Sequence, residues 1–261
     1  MEYSNTCKAA FLERPNRFIA SARLSDSGVS VVCHVKNTGR CRELLLPGSQ
    51  LVLEHHPDAL KKGRKTEYSL ICVYKERAGF SGQTLLINMD SQAPNKAALE
   101  WLQSLSLQAS DRTLAPSGSP SPFGSLIPAD IRREVTYKDS RFDLAFRLAD
   151  PKSGESRPAF MEVKGVTLEE NGQVRFPDAP TERGVKHLCG LMDARSHGFL
   201  SYVLFVIQMK GIHSFSPNDI THPAFGQTLR QAQSQDVQIL AYDCLVTPDS
   251  MMIDSPVKVV L

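Results

Sequence analysis

Three charged residues set the chemistry open to this chain. Arg141-Phe142-Asp143-Leu144-Ala145-Phe146 and Ala159-Phe160-Met161-Glu162-Val163-Lys164 are short runs whose residues alternate along an extended backbone. In the first run Phe142, Leu144 and Phe146 fall on one face, and Arg141, Asp143 and Ala145 on the other. In the second, Glu162 and Lys164 share a face opposite Met161 and Val163. Pro151-Lys152-Ser153-Gly154-Glu155-Ser156 lies between them, polar and turn-rich, and predicts an antiparallel hairpin. A hairpin closed symmetrically about Lys152 and Ser153 sets Asp143 opposite Glu162, with Lys164 one step along the same face.

Two close carboxylates repel, and both stay ionised only with a cation between them. A hard divalent ion, Mg2+ or Mn2+, suits a site of one or two carboxylates completed by water. A neighbouring lysine can position the attacking water or stabilise charge on a phosphate oxygen. Asp143, Glu162 and Lys164 are therefore the minimal set for metal-assisted phosphodiester hydrolysis, with Asp143 and Glu162 as metal ligands. Glu134, on the preceding element, is a candidate third acidic ligand; it could equally be solvated. The competing reading of the same residues is a surface hairpin with an ordinary cross-strand Glu–Lys pair.

The elements that must position these groups divide into two kinds. From Arg17 to about Met89 the chain reads as five short strands: 18–24, 29–36, 50–54, 68–74 and 85–89. Turn signals at Ser25-Asp26-Ser27-Gly28 and Pro47-Gly48 separate them, which predicts a small all-β barrel of the oligonucleotide-binding (OB) kind. A helix is expected from Asn95, as its cap, through Leu107, with Trp101 packing at the domain boundary. The Pro/Ser/Gly-rich stretch 115–124 reads as a flexible loop. After the hairpin, Thr181 is the expected N-cap of a helix burying Val185, Leu188, Leu191 and Met192. The apolar run 201–207 reads as a central strand; a helix over 223–235 and a last strand over 237–242 follow. This order predicts an α/β domain with a mixed sheet over 94–261, behind a barrel domain over 1–93.

Composition narrows the partners. The 261 residues carry a net charge of only +2, so a polyanion-binding surface must come from local clusters. Two loops supply them: Asn37, Arg40 and Arg42 after the second strand, and Lys61, Lys62, Arg64 and Lys65 between the third and fourth. Such loops suit sequence-independent phosphate contact; solvation alone is the competing reading. Arg183, Lys186 and His187 form a third basic group, in which His187 could meet a phosphate or assist proton transfer. The six cysteines include no CxxC pair and read as small buried hydrophobes of a reducing compartment. No stretch reaches membrane-spanning length, so a soluble cytoplasmic protein without membrane partners is expected, and a homo-oligomer stays open.

Several of these blocks resemble one family. Arg17-Phe18-Ile19-Ala20, 34–40 (HVKNTGR), Arg141-Phe142-Asp143, 161–168 (MEVKGVTL) and above all 176–188 (FPDAPTERGVKHL) are similar, in order and over almost the whole chain, to the sugar fermentation stimulation protein A (SfsA) family. The resemblance implies an N-terminal OB-like barrel and a C-terminal domain like the PD-(D/E)xK nucleases. It implies non-sequence-specific DNA binding and a part in regulating sugar (maltose) metabolism genes. By motif match, Asp143, Glu162 and Lys164 take the nuclease-like positions, with Glu134 as an extra acidic ligand. Two functions remain in competition: a DNA-binding protein that retains metal-dependent phosphodiesterase chemistry, and a binding-only accessory factor whose nuclease-like face is inactive. A sugar-responsive regulator is a weaker third, as no aromatic sugar platform stands out in the sequence.

Overall fold

A computed structural model describes residues 1–37, 39, 41–59, 61–76, 84–110 and 121–261. Six strands open the chain: β1 (Thr6–Asn16), β2 (Ile19–Leu24), β3 (Ser30–Val35), β4 (Gln50–His55), β5 (Tyr68–Glu76) and β6 (Thr84–Asn88). They pair in the order β3-β2-β1-β4-β5-β6, and an added β3–β5 pairing closes the first five into a barrel. The expected five-stranded barrel is present with a different membership. β1 belongs to it and went unread in the sequence, whereas β6 hangs on the open edge of β5. The reason lies in β1 itself, whose register with β2 shifts twice between Phe11 and Asn16 and so breaks the two-residue alternation. Ala9, Phe11, Ala20, Ala22, Cys33, Leu51, Leu53 and Leu70 fill the interior.

Helix α1 (Ala93–Ser110) follows and leads, after the segment 111–120 that lies outside the described residues, into β7 (Ile127–Tyr137), β8 (Ser140–Ala149) and β9 (Ser156–Val166). The short strands β10 (Leu168–Glu170) and β11 (Gln173–Phe176) precede α2 (Glu182–Ser196) and β12 (Leu200–Ile207). Then come β13 (Ser214–Pro217), α3 (Pro223–Ser234), β14 (Gln238–Thr247), β15 (Ser250–Pro256) and β16 (Lys258–Val259). The main sheet has the order β15-β14-β12-β9-β8-β7 and is mixed: β12 runs parallel to β9 and β14, while β7, β8 and β15 are antiparallel to their neighbours. A second, four-stranded sheet, β10-β11-β13-β16, lies beside it. The expected last strand over 237–242 is thus followed by two more.

The main sheet is covered on both faces, which is why β12 is buried along almost its whole length. Ala97, Ala98 and Leu102 of α1 pack on one face with Leu144, Met161 and Leu204. Leu188 and Leu191 of α2 and Phe225 and Leu229 of α3 pack on the other with Phe142, Phe160 and Phe205. Trp101 belongs to the α1-side core, where its ring lies 5.0 Å from that of Tyr242, rather than to the domain boundary. Of the expected flexible loop over 115–124, residues 115–120 lie outside the described residues. Its end forms a turn that buries Phe123 against Phe146 and Tyr202.

Candidate active site

The hairpin forms in the register that the turn symmetry requires. β8 and β9 pair from Ala149–Ser156 up to Leu144–Met161, and the ladder ends there, one step short of Asp143 and Glu162. The faces of β8 differ from a simple alternation. Phe142 and Ala145 lie in the α2-side core, whereas Leu144, Phe146 and Leu148 lie in the α1-side core, so the alternation slips at Asp143. Phe142, Leu144 and Phe146 therefore do not share a face. The slip coincides with Glu134, its neighbour on β7, which has φ 53° in the left-handed region.

The slip turns the Asp143 carboxylate toward the edge of β9. Its Oδ2 accepts the Val163 backbone N–H at 2.8 Å, a donor that would otherwise join the ladder. Its Oδ1 accepts from Asn95 Nδ2 of α1 at 2.7 Å. Asn95 is therefore no cap: α1 begins at Ala93 and Asn95 lies in its first turn. Gly165 lets α1 and β9 come close enough for this, because a Cβ there would stand 2.7 Å from Pro94 Cγ.

Glu162 is nearly fully buried on the α2 face of β9. Its Oε1 accepts from Lys164 Nζ at 2.5 Å and from His187 Nδ1. His187 Nε2 accepts from Arg183 Nε at 3.4 Å, so the ring proton sits on Nδ1, facing Glu162. Glu162 Oε2 is buried and has no hydrogen-bond partner. Burial, and then the charge of Glu162, push the Asp143 carboxyl above its ordinary range, against the Val163 N–H, Lys164 and Asn95. Burial also pushes Glu162 upward, but His187 and Lys164 outweigh it and hold the group below its usual value. The two carboxyls thus feel each other; Lys164 pulls both downward, but only at Glu162, where His187 joins it, is burial outweighed.

This donor set fits a hard divalent cation. Two anionic side chains, one with an unpartnered buried oxygen, match the protein share of a Mg2+ or Mn2+ site completed by water. Among the described residues no group of three or more His, Cys, Asp and Glu is arranged to hold a metal ion, so the protein's share here is the two carboxylates, and His187 spends its Nδ1 on Glu162. Glu134 is not the third ligand. Its carboxylate is exposed and pairs with Arg141 at 2.7 Å.

The basic candidates separate into distinct settings. His187 is buried beneath Glu162 and presents no surface to a phosphate, whereas Arg183 and Lys186 are exposed on the first turns of α2. Arg42 is exposed, Asn37 is half-buried with its Oδ1 accepting the Gly39 N–H at 2.8 Å, and Arg40 lies outside the described residues. Gly39 packs against Asp178, in the segment in front of α2, and Asn37 lines one cavity with that aspartate. Lys62 and Lys65 are exposed, Lys61 pairs with Asp58 at 3.3 Å, and Arg64 folds back to bond Ser69 Oγ at 2.8 Å. The sequence reading missed Asn95 as a partner of Asp143 and His187 as the clamp on Glu162. Only the charge pattern of 182–187 hinted at the second.

Fold and site together define a class: an OB barrel joined to a mixed-sheet α/β domain that holds, on adjacent strands, two buried carboxylates within reach of each other's charge and a lysine. Two family models match the chain, the SfsA N-terminal OB domain over residues 12–84 and the sugar fermentation stimulation protein RE domain over residues 92–250. The chain belongs to the sugar fermentation stimulation protein (SfsA) family. It is 47% identical over 251 residues to the sugar fermentation stimulation protein homolog of Desulfitobacterium hafniense (strain DSM 10664 / DCB-2), covering 96% of this chain and 94% of that one. It is 45% identical to the homolog of Clostridium beijerinckii (strain ATCC 51743 / NCIMB 8052) over the full length of both. The fold is similar to that of Pyrococcus furiosus SfsA in complex with Ca2+, with a TM-score of 0.74 at 23% identity over 100% of this chain and 98% of that one.

Proposed function

We propose that this protein binds DNA through phosphate contacts without sequence preference and hydrolyses phosphodiesters at Asp143, Glu162 and Lys164 with Mg2+ or Mn2+. The observation that carries this is the unpartnered, buried Glu162 Oε2 beside a second carboxylate whose acidity it weakens. Burying a charged oxygen without a partner is costly, and a cation removes that cost. That the Pyrococcus furiosus relative was solved with Ca2+, another hard cation, supports the same reading. Asp143 and Glu162 would hold the ion, which when bound polarises a phosphoryl oxygen and acidifies a water. Lys164 orients that water or faces the phosphate. His187 keeps Glu162 in place, and Arg183 and Lys186, exposed on the same helix, contact the backbone of the strand. An effect on maltose genes would follow from DNA contact.

One observation favours the binding-only reading. Both Asp143 oxygens already accept protein donors, as a carboxylate with a purely structural role would. The deciding experiment incubates single- and double-stranded DNA with the protein in Mg2+ or Mn2+, beside Asp143→Ala and Lys164→Ala. Cleavage by the wild type and a loss of at least about a hundredfold in both variants is expected. DNA binding without cleavage in either metal establishes the accessory factor instead.

A further inference from the structure

Directly beyond Lys164, β9 runs into a polar cavity of about 100 Å3 lined by both halves of the molecule. Asn37 and Ser91 line it from the barrel side; Gly165, Arg175, Asp178 and Gln208 line it from the other. One water needs roughly 10–15 Å3 of such space, so the cavity has room for on the order of seven to ten. It exceeds what a lone ion requires and falls well short of the roughly 300 Å3 at which drug-sized pockets begin. A group the size of one planar ring is the natural fit.

The lining offers acceptors and donors side by side. Asp178 brings a carboxylate whose acidity burial weakens, held by its own N–H and that of Ala179. Gln208 commits its Nε2 to Asn88 and to the Asp90 carbonyl, which leaves its Oε1 beside Gly165, 2.5 Å from where a Cβ would stand. Asn37 spends its oxygen on the Gly39 N–H, so its amide NH2 is what it offers a ligand. Arg175, paired with Glu170 at 3.3 Å, adds a guanidinium. The Asp178 and Gln208 oxygens disfavour a phosphate here, whereas the edge of a nucleobase carries both donors and acceptors. Asp178 is in turn pressed against the barrel side, because a Cβ at Gly39 would lie 2.1 Å from its Oδ2.

We propose that this cavity receives one unpaired nucleobase of a strand whose backbone lies across Asp143, Glu162 and Lys164. The inference rests on the nucleic-acid reading above and names its substrate as single-stranded or locally melted. A base can enter only after it has left its stack. The two halves of the molecule would then act as one reader, the barrel supplying Asn37 and the α/β domain supplying Asp178.

The test measures binding in EDTA of an oligothymidylate, a phosphodiester chain of equal length and charge that lacks bases, and a blunt duplex of that length. The wild type should bind the oligothymidylate at least about tenfold more tightly than the base-free chain. Asn37→Asp keeps the oxygen that Gly39 needs and deletes the donor; Asp178→Asn keeps one acceptor oxygen for the backbone. Each should close the gap to about twofold, and because the readout is a ratio at equal ligand charge, the altered net charge cancels. Equal binding of the two single strands by the wild type, or a gap that persists in both variants, overturns the base pocket while leaving phosphate contact intact. Tighter binding of the duplex also overturns it. If none of the ligands binds, the nucleic-acid reading itself fails, and the pocket assignment fails with it.

Discussion

Asp143 is held by groups that pull its acidity in opposite directions, and the sign of the result is testable. Its folded-state pKa is raised, first by burial and then by Glu162, so protonation favours the fold. That contribution is present at acid pH and disappears as the pH rises through the raised value. Glu162 is depressed, so its contribution is present above its unfolded pKa and is lost as the pH falls through the folded one. A divalent cation needs both groups ionised. At neutral pH, Mn2+ at about ten times its dissociation constant should stabilise the protein by about 1.4 kcal/mol. This gain should shrink as the pH falls into the raised titration range of Asp143, and should vanish in Glu162→Gln. Thermal melts with and without Mn2+ across that range provide the check. A gain that does not depend on pH would place the cation elsewhere.

Helix α2 is the element that delivers His187, Arg183 and Lys186. Its start was legible because its signal is local: Thr181 Oγ1 accepts the Gly184 N–H at 3.1 Å, three residues on, as a capping hydroxyl does. Thr181→Ala should therefore cost about 1 kcal/mol and lower the melting temperature by about 3 °C. It should also loosen Glu162, seen as faster exchange of the His187 Nδ1 proton by NMR. β12 was equally legible, because a strand covered on both faces needs apolar residues at every position. β1 was not. Lys8 and Glu13 face solvent while Ala9 and Phe11 face the interior, and the bulges that bend the strand around the barrel erase the period. β10, β11, β13 and β16 are two to four residues long, too short to show any period.

Across the whole molecule one apolar core runs from Phe11 and Leu51 in the barrel to Phe205 and Phe225 under α2 and α3, so the two halves are packed as one body. Polar ties cross the same junction. Gln208 bonds Asn88, and Lys75 of β5 bonds the buried Glu169 of β10 at 2.5 Å. Removing one partner of such a pair strands the other charge. Lys75→Met should cost about 3 kcal/mol in urea unfolding, and Lys75→Met/Glu169→Leu should recover more than half of it. Fluorescence and circular dichroism should report one shared transition in all three proteins. Two separate transitions in the wild type would show that the shared core does not couple the halves. Among the described residues no helix is long and apolar enough to cross a membrane.

The residue types and the hairpin register are properties of adjacent sequence. A symmetric polar turn and two alternating runs suffice to set the hairpin register up to Leu144 and Met161, next to Asp143 and Glu162, and a threonine three residues before a glycine suffices to start α2. What surrounds the carboxylates was decided only when distant elements met. Asn95 reaches Asp143 from 48 positions away and His187 reaches Glu162 from 25, while Glu134, which the sequence offered as a ligand, turns outward to Arg141. Patterns along a chain record only which way each side chain faces its own strand or helix. Which carboxylate oxygens find donors, and which one is left bare, depends on how α1, α2 and the barrel pack against β9.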